Sequence, residues 1–180
     1  MKLKLLAAAA VAIPMLLTGC VTSETKPIPK IAAKQATVHI PDAELLDVGV
    51  RVFDPGIPQN IKDDEEALAK KRIYPDLRKA EARYIPTLLR ETLEASAQWG
   101  AVRVIPDMAE FVDVIITGKL IDSNGGFLSI DVTVTDAAGR VWIKDKRFES
   151  MADLGAYKTN ASMKARDPFQ NVYSQVANEW

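Results

Sequence analysis

Two runs of sequence decide the fold: Val112-Asp113-Val114-Ile115-Ile116-Thr117-Gly118 and Leu128-Ser129-Ile130-Asp131-Val132-Thr133-Val134. Apolar residues recur at every second position in both runs, which is typical of strands with one buried face. Between them, Asn124-Gly125-Gly126 supplies the left-handed turn residues of a hairpin. Asp136-Ala137-Ala138-Gly139 predicts a second turn, and residues 141–148 a third strand. We therefore expect an antiparallel meander of three strands.

The elements around this meander follow from similar patterns. In chain order we expect a strand over 45–53, a solvated helix around Glu66 and Lys70, an amphipathic helix over 84–99 stopped by Gly100, a short strand over 102–105, and a terminal helix begun by Asp167 and Pro168. Pro75 is expected to break or to start a helix. The elements together predict an α+β domain, with a twisted, mostly antiparallel sheet and helices packed on one face.

The terminal helix carries an apolar stripe that runs to the end of the sequence, through Val172, Val176 and Trp180. Two interpretations stay open. Either the helix packs against the domain up to its end, or the sequence is truncated at its C-terminus.

The amino-terminal residues carry a targeting pattern. Lys2 and Lys4 precede an apolar run over 5–17, which is too short for an ordinary membrane-spanning helix, and Leu17-Thr18-Gly19-Cys20 ends it. This motif resembles the lipobox of bacterial lipoproteins. The resemblance implies that the Cys20 thiol receives a diacylglyceryl group, that a peptidase cuts before Cys20, and that the new amine is acylated. The alternatives are an ordinary secretory signal with a chance cysteine, or a single spanning helix.

Val21 follows the cysteine where an Asp could stand. By resemblance to enterobacterial sorting rules, this implies transfer to the outer membrane, facing the periplasm. We therefore expect a signal peptide over 1–19, a lipidated cysteine and flexible tether over 20–41, and a single domain over 42–180. The tether is predicted because its prolines and scattered charges follow no apolar period.

Charge and cysteine content exclude several classes of protein. The formal net charge is −1, and loss of residues 1–19 with their two lysines makes it more negative. This balance argues against a nucleic-acid partner and against a polybasic membrane-binding patch. Once Cys20 is acylated no cysteine is left for a disulfide, so the core alone must hold the fold.

Few residues point to catalysis. His39 is the only histidine and Cys20 the only cysteine, so neither triads nor zinc sites built on these residues are expected. The acidic run at 63–66 lacks the alternating ligands and central glycine of a calcium loop, and it is typical of a helix start. We therefore predict no catalytic residue, no metal and no cofactor.

Two residues are possible partner contacts, Trp142 and Arg51. Trp142 alternates with Val141 and Ile143, so it points away from one apolar face. It either anchors a partner on the far side of the sheet or lies in the core under a helix.

The order of elements also resembles a known module. A helix through Thr87-Leu88-Leu89-Arg90-Glu91-Thr92-Leu93-Glu94 leads to a short strand at Val102-Arg103-Val104-Ile105-Pro106, then to strands at 112–118 and 128–136 and to Arg140-Val141-Trp142. This order is similar to the periplasmic α/β module of the TolB amino-terminal domain, the curli-secretion lipoprotein and the lipoprotein activators of peptidoglycan synthases. The resemblance implies protein–protein binding in the envelope and brings no catalytic residues.

The function expected from the sequence is that of a lipid-anchored, non-enzymatic envelope adaptor or assembly protein. Its partners would be the membrane, through Cys20, and another envelope protein. One alternative is a periplasmic carrier that holds a lipid or other apolar ligand between sheet and helices. Another is an envelope hydrolase, which clustering of Asp122, Asp131 and Asp136 in one cleft would favour.

Overall fold

The computed structural model describes residues 28–106, 112–153 and 166–180. In this part of the chain the strands are β1 (Val48–Arg51), β2 (Val102–Ile105), β3 (Val114–Ser123), β4 (Phe127–Asp136) and β5 (Val141–Met151). The helices are α1 (Glu65–Lys70), α2 (Pro75–Ser96) and α3 (Gln170–Ala177), with short 3-10 turns at Asp42–Glu44 and Gln59–Ile61.

The five strands form one mixed sheet in the order β2-β1-β3-β4-β5. β3, β4 and β5 pair antiparallel, as the alternating pattern predicts. β1 lies between β2 and β3 and is parallel to both. The predicted meander is confirmed, and so is the α+β class. The parallel half of the sheet is shorter, so the antiparallel ladders still make up most of the pairing.

The helices pack on one face of the sheet. α2 contacts β1, β2, β3 and α3, while α3 contacts β4 and β5. The strand residues that face the helices are fully buried, among them Val50, Ile116 and Ile130. On the other face, Arg147 forms a two-pronged ion pair with Asp131, at 2.8 and 2.9 Å. The sheet therefore has a dry face under the helices and a wet face opposite.

Helix α2 begins earlier than the pattern over 84–99 predicts. Pro75 stands at its first helical position, where a missing backbone N–H costs no hydrogen bond. Pro86 lies inside the helix and leaves the carbonyl of Ala82 without its intrahelical donor. The backbone N–H of Phe53 donates to that carbonyl at 3.0 Å, so the proline ties the segment after β1 to α2.

The same helix ends at Ser96, three residues before the end predicted at residue 99, next to the stop at Gly100. Ala97 takes the left-handed conformation at its C-cap, with a φ of 54°. Gly100 instead donates its N–H to the carbonyl of Leu46 at 2.9 Å. A Cβ at position 100 would lie 2.6 Å from Asp47 Oδ1, so this glycine is required for close packing rather than for capping.

The start of α3 also differs slightly from its prediction. Asp167 lies in the turn before the helix, where its Oδ1 accepts the N–H of Phe169 at 2.8 Å. The helix itself starts at Gln170. It packs against the domain along its length, since Val172 and Val176 are fully buried and Trp180 packs against the core.

Candidate functional site

The most developed polar arrangement surrounds the amino-terminal segment 29–36, which we call the strap. The strap lies in the groove between α2 and α3 and forms neither helix nor strand. Ile31 donates its backbone N–H to Asn171 Oδ1 at 2.9 Å, and Asn171 Nδ2 donates to the carbonyl of Pro29 at 2.9 Å. One α3 side chain therefore makes two opposed hydrogen bonds with the strap backbone.

A second asparagine repeats this arrangement. Lys34 donates its backbone N–H to Asn178 Oδ1 at 2.7 Å, and Asn178 Nδ2 donates to the carbonyl of Ala32 at 2.9 Å. Seven helical residues rise about 10.5 Å, and three residues of extended chain span about 10 Å. The distance between Asn171 and Asn178 along α3 therefore nearly equals the distance between Ile31 and Lys34 along the strap, so both asparagines can bind the strap backbone at once.

Further polar groups fix both ends of the strap. Ala36 donates its N–H to the carbonyl of Ser96 at 2.9 Å, which satisfies an acceptor that the end of α2 leaves free. Gln98 Nε2 donates to the carbonyl of Lys34 at 2.9 Å. Arg166 Nη2 donates both to the carbonyl of Ile31 and to Asn171 Oδ1, so it also orients Asn171. The strap lies within the tether predicted over 20–41, and in the structure its backbone is hydrogen-bonded to the domain.

A cleft of about 910 Å³ opens beside the strap. Its walls are the strap, the side of α2 that carries Tyr84 and Leu88, and the residues around Arg166 and Asp167 before α3. Leu77 lies two helical turns before Tyr84 on the same side of α2. Leu77 and Tyr84 are 53% and 56% exposed, and Tyr84 also lines the cleft, so two large apolar side chains are open to solvent on this side of α2.

The cleft ends at a small group of ionisable residues. Burial raises the pKa of Asp167, although the Phe169 N–H and the Tyr173 hydroxyl donate to its carboxylate and act in the opposite direction. Tyr173 is almost fully buried, and desolvation together with the nearby Asp167 raises the pKa of its hydroxyl. The buried Tyr173 hydroxyl therefore donates to the partly buried carboxyl group of Asp167.

The three tryptophans of the sequence form a second feature, the tryptophan cluster. The ring centroids of Trp99 and Trp180 lie 4.9 Å apart, and Trp142 meets Trp180 edge-on at 6.4 Å. Trp142 Nε1 donates to Asp136 Oδ2 at 2.9 Å, and this bond is the main reason that the pKa of Asp136 is lowered. The Trp142 side chain is 38% exposed and contacts Trp180. It is therefore neither an anchor on the far side of the sheet nor a fully buried core residue, the two positions that the sequence left open.

Arg51 lies elsewhere. It ends β1, with β3 and β4 between it and the strand that carries Trp142. The side chain is half-buried, and its Nε has no hydrogen-bond partner among the described residues. The structure therefore does not join the two predicted partner contacts in one surface.

The three aspartates considered for catalysis have separate partners. Asp122 lies 3.7 Å from the buried Arg78, Asp131 pairs with Arg147, and Asp136 binds Trp142 and the turn before β5. His39 is exposed, just beyond the strap. Within the described ranges, no three or more His, Cys, Asp and Glu side chains group so as to hold a metal ion. The cleft clustering on which the hydrolase alternative depends is not seen for these aspartates.

Cys20 and the motif residues Leu17, Thr18 and Gly19 lie outside the described residues. Of the helices that the structure describes, none combines the length and the apolar character needed to cross a membrane. The lipobox remains a prediction from sequence.

Sequence reasoning did not find the residues that hold the strap. Asn171 and Asn178 lie on the polar side of a short helix pattern, and an asparagine in such a place usually faces water. The two asparagines are seven residues apart, which places them on the same side of a helix. This spacing indicates a binding role only once an extended segment is known to lie alongside. Arg166 likewise has no local pattern that indicates its contact with Ile31.

Comparison with known proteins gives fold likeness only. No family model matches the sequence, and a search of curated proteins finds no match. Protein XCC0632 from Xanthomonas campestris, of family DUF330, is 12% identical, with a TM-score of 0.44 over 85% of this chain and 89% of that one. The hypothetical protein CT253 from Chlamydia trachomatis is 8% identical, with a TM-score of 0.37 over 75% and 92%.

A third similar structure is a PelC variant from Paraburkholderia phytofirmans, described as a dodecamer. It is 12% identical, with a TM-score of 0.35 over 86% of each chain. All three similar structures come from bacteria. Likeness at these TM-scores carries no argument about the activity, assembly or partners of this chain.

Proposed function

We propose that this protein is a lipid-anchored, non-enzymatic adaptor of the bacterial outer membrane that faces the periplasm and binds another envelope protein. The observation that carries the binding role is the side of α2 where Leu77 and Tyr84 are both more than half exposed and where Tyr84 also lines the cleft. Tyrosine combines a large apolar ring with a hydroxyl, which is why it is frequent at protein interfaces.

The anchor rests on the motif at 17–20. Each acyl CH2 group that enters the bilayer contributes about 0.8 kcal/mol, and one chain alone binds only marginally. The acylation that the lipobox implies adds several chains to Cys20, so release from the membrane would be negligible. Nine peptide steps join Cys20 to Pro29, which spans at most about 30 Å. The fixed strap would therefore keep the domain close to the membrane surface.

The packing favours an adaptor over a carrier that holds its ligand between sheet and helices. Leu89 and Leu93 of α2 and Ile116 of β3 are fully buried members of one core. The cleft lies outside this core, on the side of α2 that faces the strap. A ligand in the cleft would contact Glu91 and Arg166 as well as apolar side chains, which is an environment more typical of protein interfaces than of lipid pockets.

In vivo photocrosslinking tests the binding role. A photoreactive residue is placed singly at Leu77, Tyr84, Trp142 or Arg51, with the exposed Lys144 of β5 as a control position. We expect one partner to be captured from Leu77 and Tyr84 and not from Lys144, and the same contact to be recovered when the photoreactive residue is moved into the partner. Capture from Trp142 or Arg51 alone would contradict the proposed surface.

Metabolic labelling tests the anchor separately. We expect palmitate to label the wild-type protein, and Cys20→Ser to remove the label and to leave the precursor uncut. Thr22→Ser, two residues away, is the control and should be labelled and cut normally. Labelled palmitate in Cys20→Ser, or an unprocessed wild-type chain in the cytosol, would refute the lipoprotein assignment.

A further inference from the structure

We propose that the groove between α2 and α3 binds extended main chain, and that the strap of a second copy of this chain can occupy it in exchange for the groove's own strap. The exchange is reciprocal, so that two copies form a dimer linked by their amino-terminal segments. This inference is independent of the lipid anchor and of the α2 surface proposed to bind a partner.

The first argument is that the groove binds the strap through its backbone. Asn171 and Asn178 each accept from one strap N–H and donate to one strap carbonyl. Gln98 Nε2 and Arg166 Nη2 donate to strap carbonyls as well. Lys34 Nζ, a strap side chain, donates to the carbonyl of Asn178 at the longer distance of 3.5 Å. Each of these contacts can be made equally well by the strap of another copy.

The second argument concerns the fit of this particular segment. Pro29 has no backbone N–H and offers only a carbonyl, which is what Asn171 Nδ2 requires at that position. Ala33 packs against the core with its small side chain, while Ala32 and Lys34 are exposed. The strap's own sequence therefore matches the groove, and every copy of the protein carries it. This is why we assign a second copy rather than an unrelated peptide.

The third argument is the connection between strap and domain. Residues 37–40 form neither helix nor strand, and the Val38 side chain is 76% exposed. Few contacts are lost if this connection extends. An exchange conserves every hydrogen bond of the groove, which is the general reason that segment swapping between identical chains costs little free energy.

Crosslinking between two differently marked copies tests the exchange. Full chains carry Cys20→Ser together with either Lys34→Cys or Gln98→Cys, because Gln98 contacts the carbonyl of Lys34 within one copy. The two proteins are mixed at high concentration and treated with a short bis-maleimide. The control mixture pairs Lys34→Cys with Lys144→Cys.

We expect the Lys34→Cys and Gln98→Cys mixture to give covalent heterodimer at a yield at least five-fold above the control mixture. Adding Asn171→Ala and Asn178→Ala to both chains should return the yield to the control level. Equal yields in the two mixtures, or a yield that the asparagine substitutions leave unchanged, would overturn the proposal.

Native-state hydrogen exchange on the Cys20→Ser chain provides a second measurement. The amide hydrogens of Ile31, Lys34 and Ala36 should be protected from solvent. They should exchange with solvent at one common rate, at least ten-fold faster than the amide hydrogens of β4. If these amides exchanged hydrogen at the same rate as those of β4, the strap would leave the groove only when the whole domain unfolds. Swapping of straps between folded domains, as proposed here, would then be ruled out.

Discussion

The β3–β5 meander and the strap are held by opposite kinds of contact. In the meander, neighbouring strands follow one another in sequence, and in β4 the buried Ile130, Val132 and Val134 alternate with polar residues. In the strap, the asparagine hydrogen bonds join residues 140 to 146 positions apart, and they use main-chain atoms of the strap rather than its side chains. The comparison teaches that a segment without any sequence pattern can be firmly placed if distant side chains fit its backbone.

The largest expected effect comes from the meander. Ile130 lies in the middle of β4 and is fully buried, so Ile130→Ala removes core contacts and leaves a cavity. We expect a loss of about 2–5 kcal/mol in the free energy of unfolding, measured by urea denaturation with circular dichroism. Thr135→Ala, on the wet face of the same strand, should cost much less. Equal losses would mean that the two faces of β4 are not distinct.

A smaller effect is expected from the strap. Asn171 is 5% exposed, and Asn171→Ala leaves the N–H of Ile31 and the guanidinium of Arg166 without their common acceptor. The expected loss is about 1–3 kcal/mol, because buried donors lose a partner that water replaces poorly. Asn178 is more exposed, so Asn178→Ala should cost less. The loss is read from urea denaturation, and exchange of the Ile31 amide shows whether it is confined to the strap.

The two asparagine variants also sharpen the comparison. If the strap is held chiefly by its side chains, both substitutions will leave the Ile31 amide as protected as in the wild-type protein. That outcome would contradict the conclusion that the strap is placed by hydrogen bonds to its backbone, whereas the meander is placed by its pattern of side chains.

The smallest effect concerns pH. Burial raises the pKa of Asp167 above that of an aspartate in the unfolded chain, so the folded state holds its proton more tightly. The resulting stability is present below the unfolded pKa, about 3.9, and is lost as the pH rises through the folded pKa. In the wild-type protein, the melting temperature should therefore fall as the pH rises just above 4. In Asp167→Asn this fall should be smaller, because the amide carries no charge. An unchanged pH profile, measured by differential scanning calorimetry, would contradict this assignment.

The predictable part of the fold is the part with local periodicity. The alternation in β3 and β4 and the glycines of the first turn define the meander, and Gly125 takes the expected positive φ of 76°. The parallel pairing of β1 with β2 and β3 was not predicted, since it joins segments separated by two helices. The end of α2 was also misplaced, because close packing against Asp47 explains Gly100 better than capping does.

The candidate site was largely invisible in the sequence. Tyr84 was correctly placed on the amphipathic helix, but its exposure depends on where α3 and the strap lie. Trp142 and Arg51 were proposed together as partner contacts, and nothing in strand alternation could reveal that two strands separate them. The terminal segment around Cys20 is the converse case, with a strong sequence motif and no described structure.

The tryptophan cluster has a spectroscopic consequence. Trp99 follows α2, Trp142 lies near the start of β5, and Trp180 follows α3. The Trp180 ring lies 4.9 Å from the ring of Trp99 and 6.4 Å from the ring of Trp142. Indole transitions at such separations couple, which produces paired bands of opposite sign in the circular dichroism of the folded chain. A single optical signal therefore reports whether three distant stretches of polypeptide have come together, without any added label.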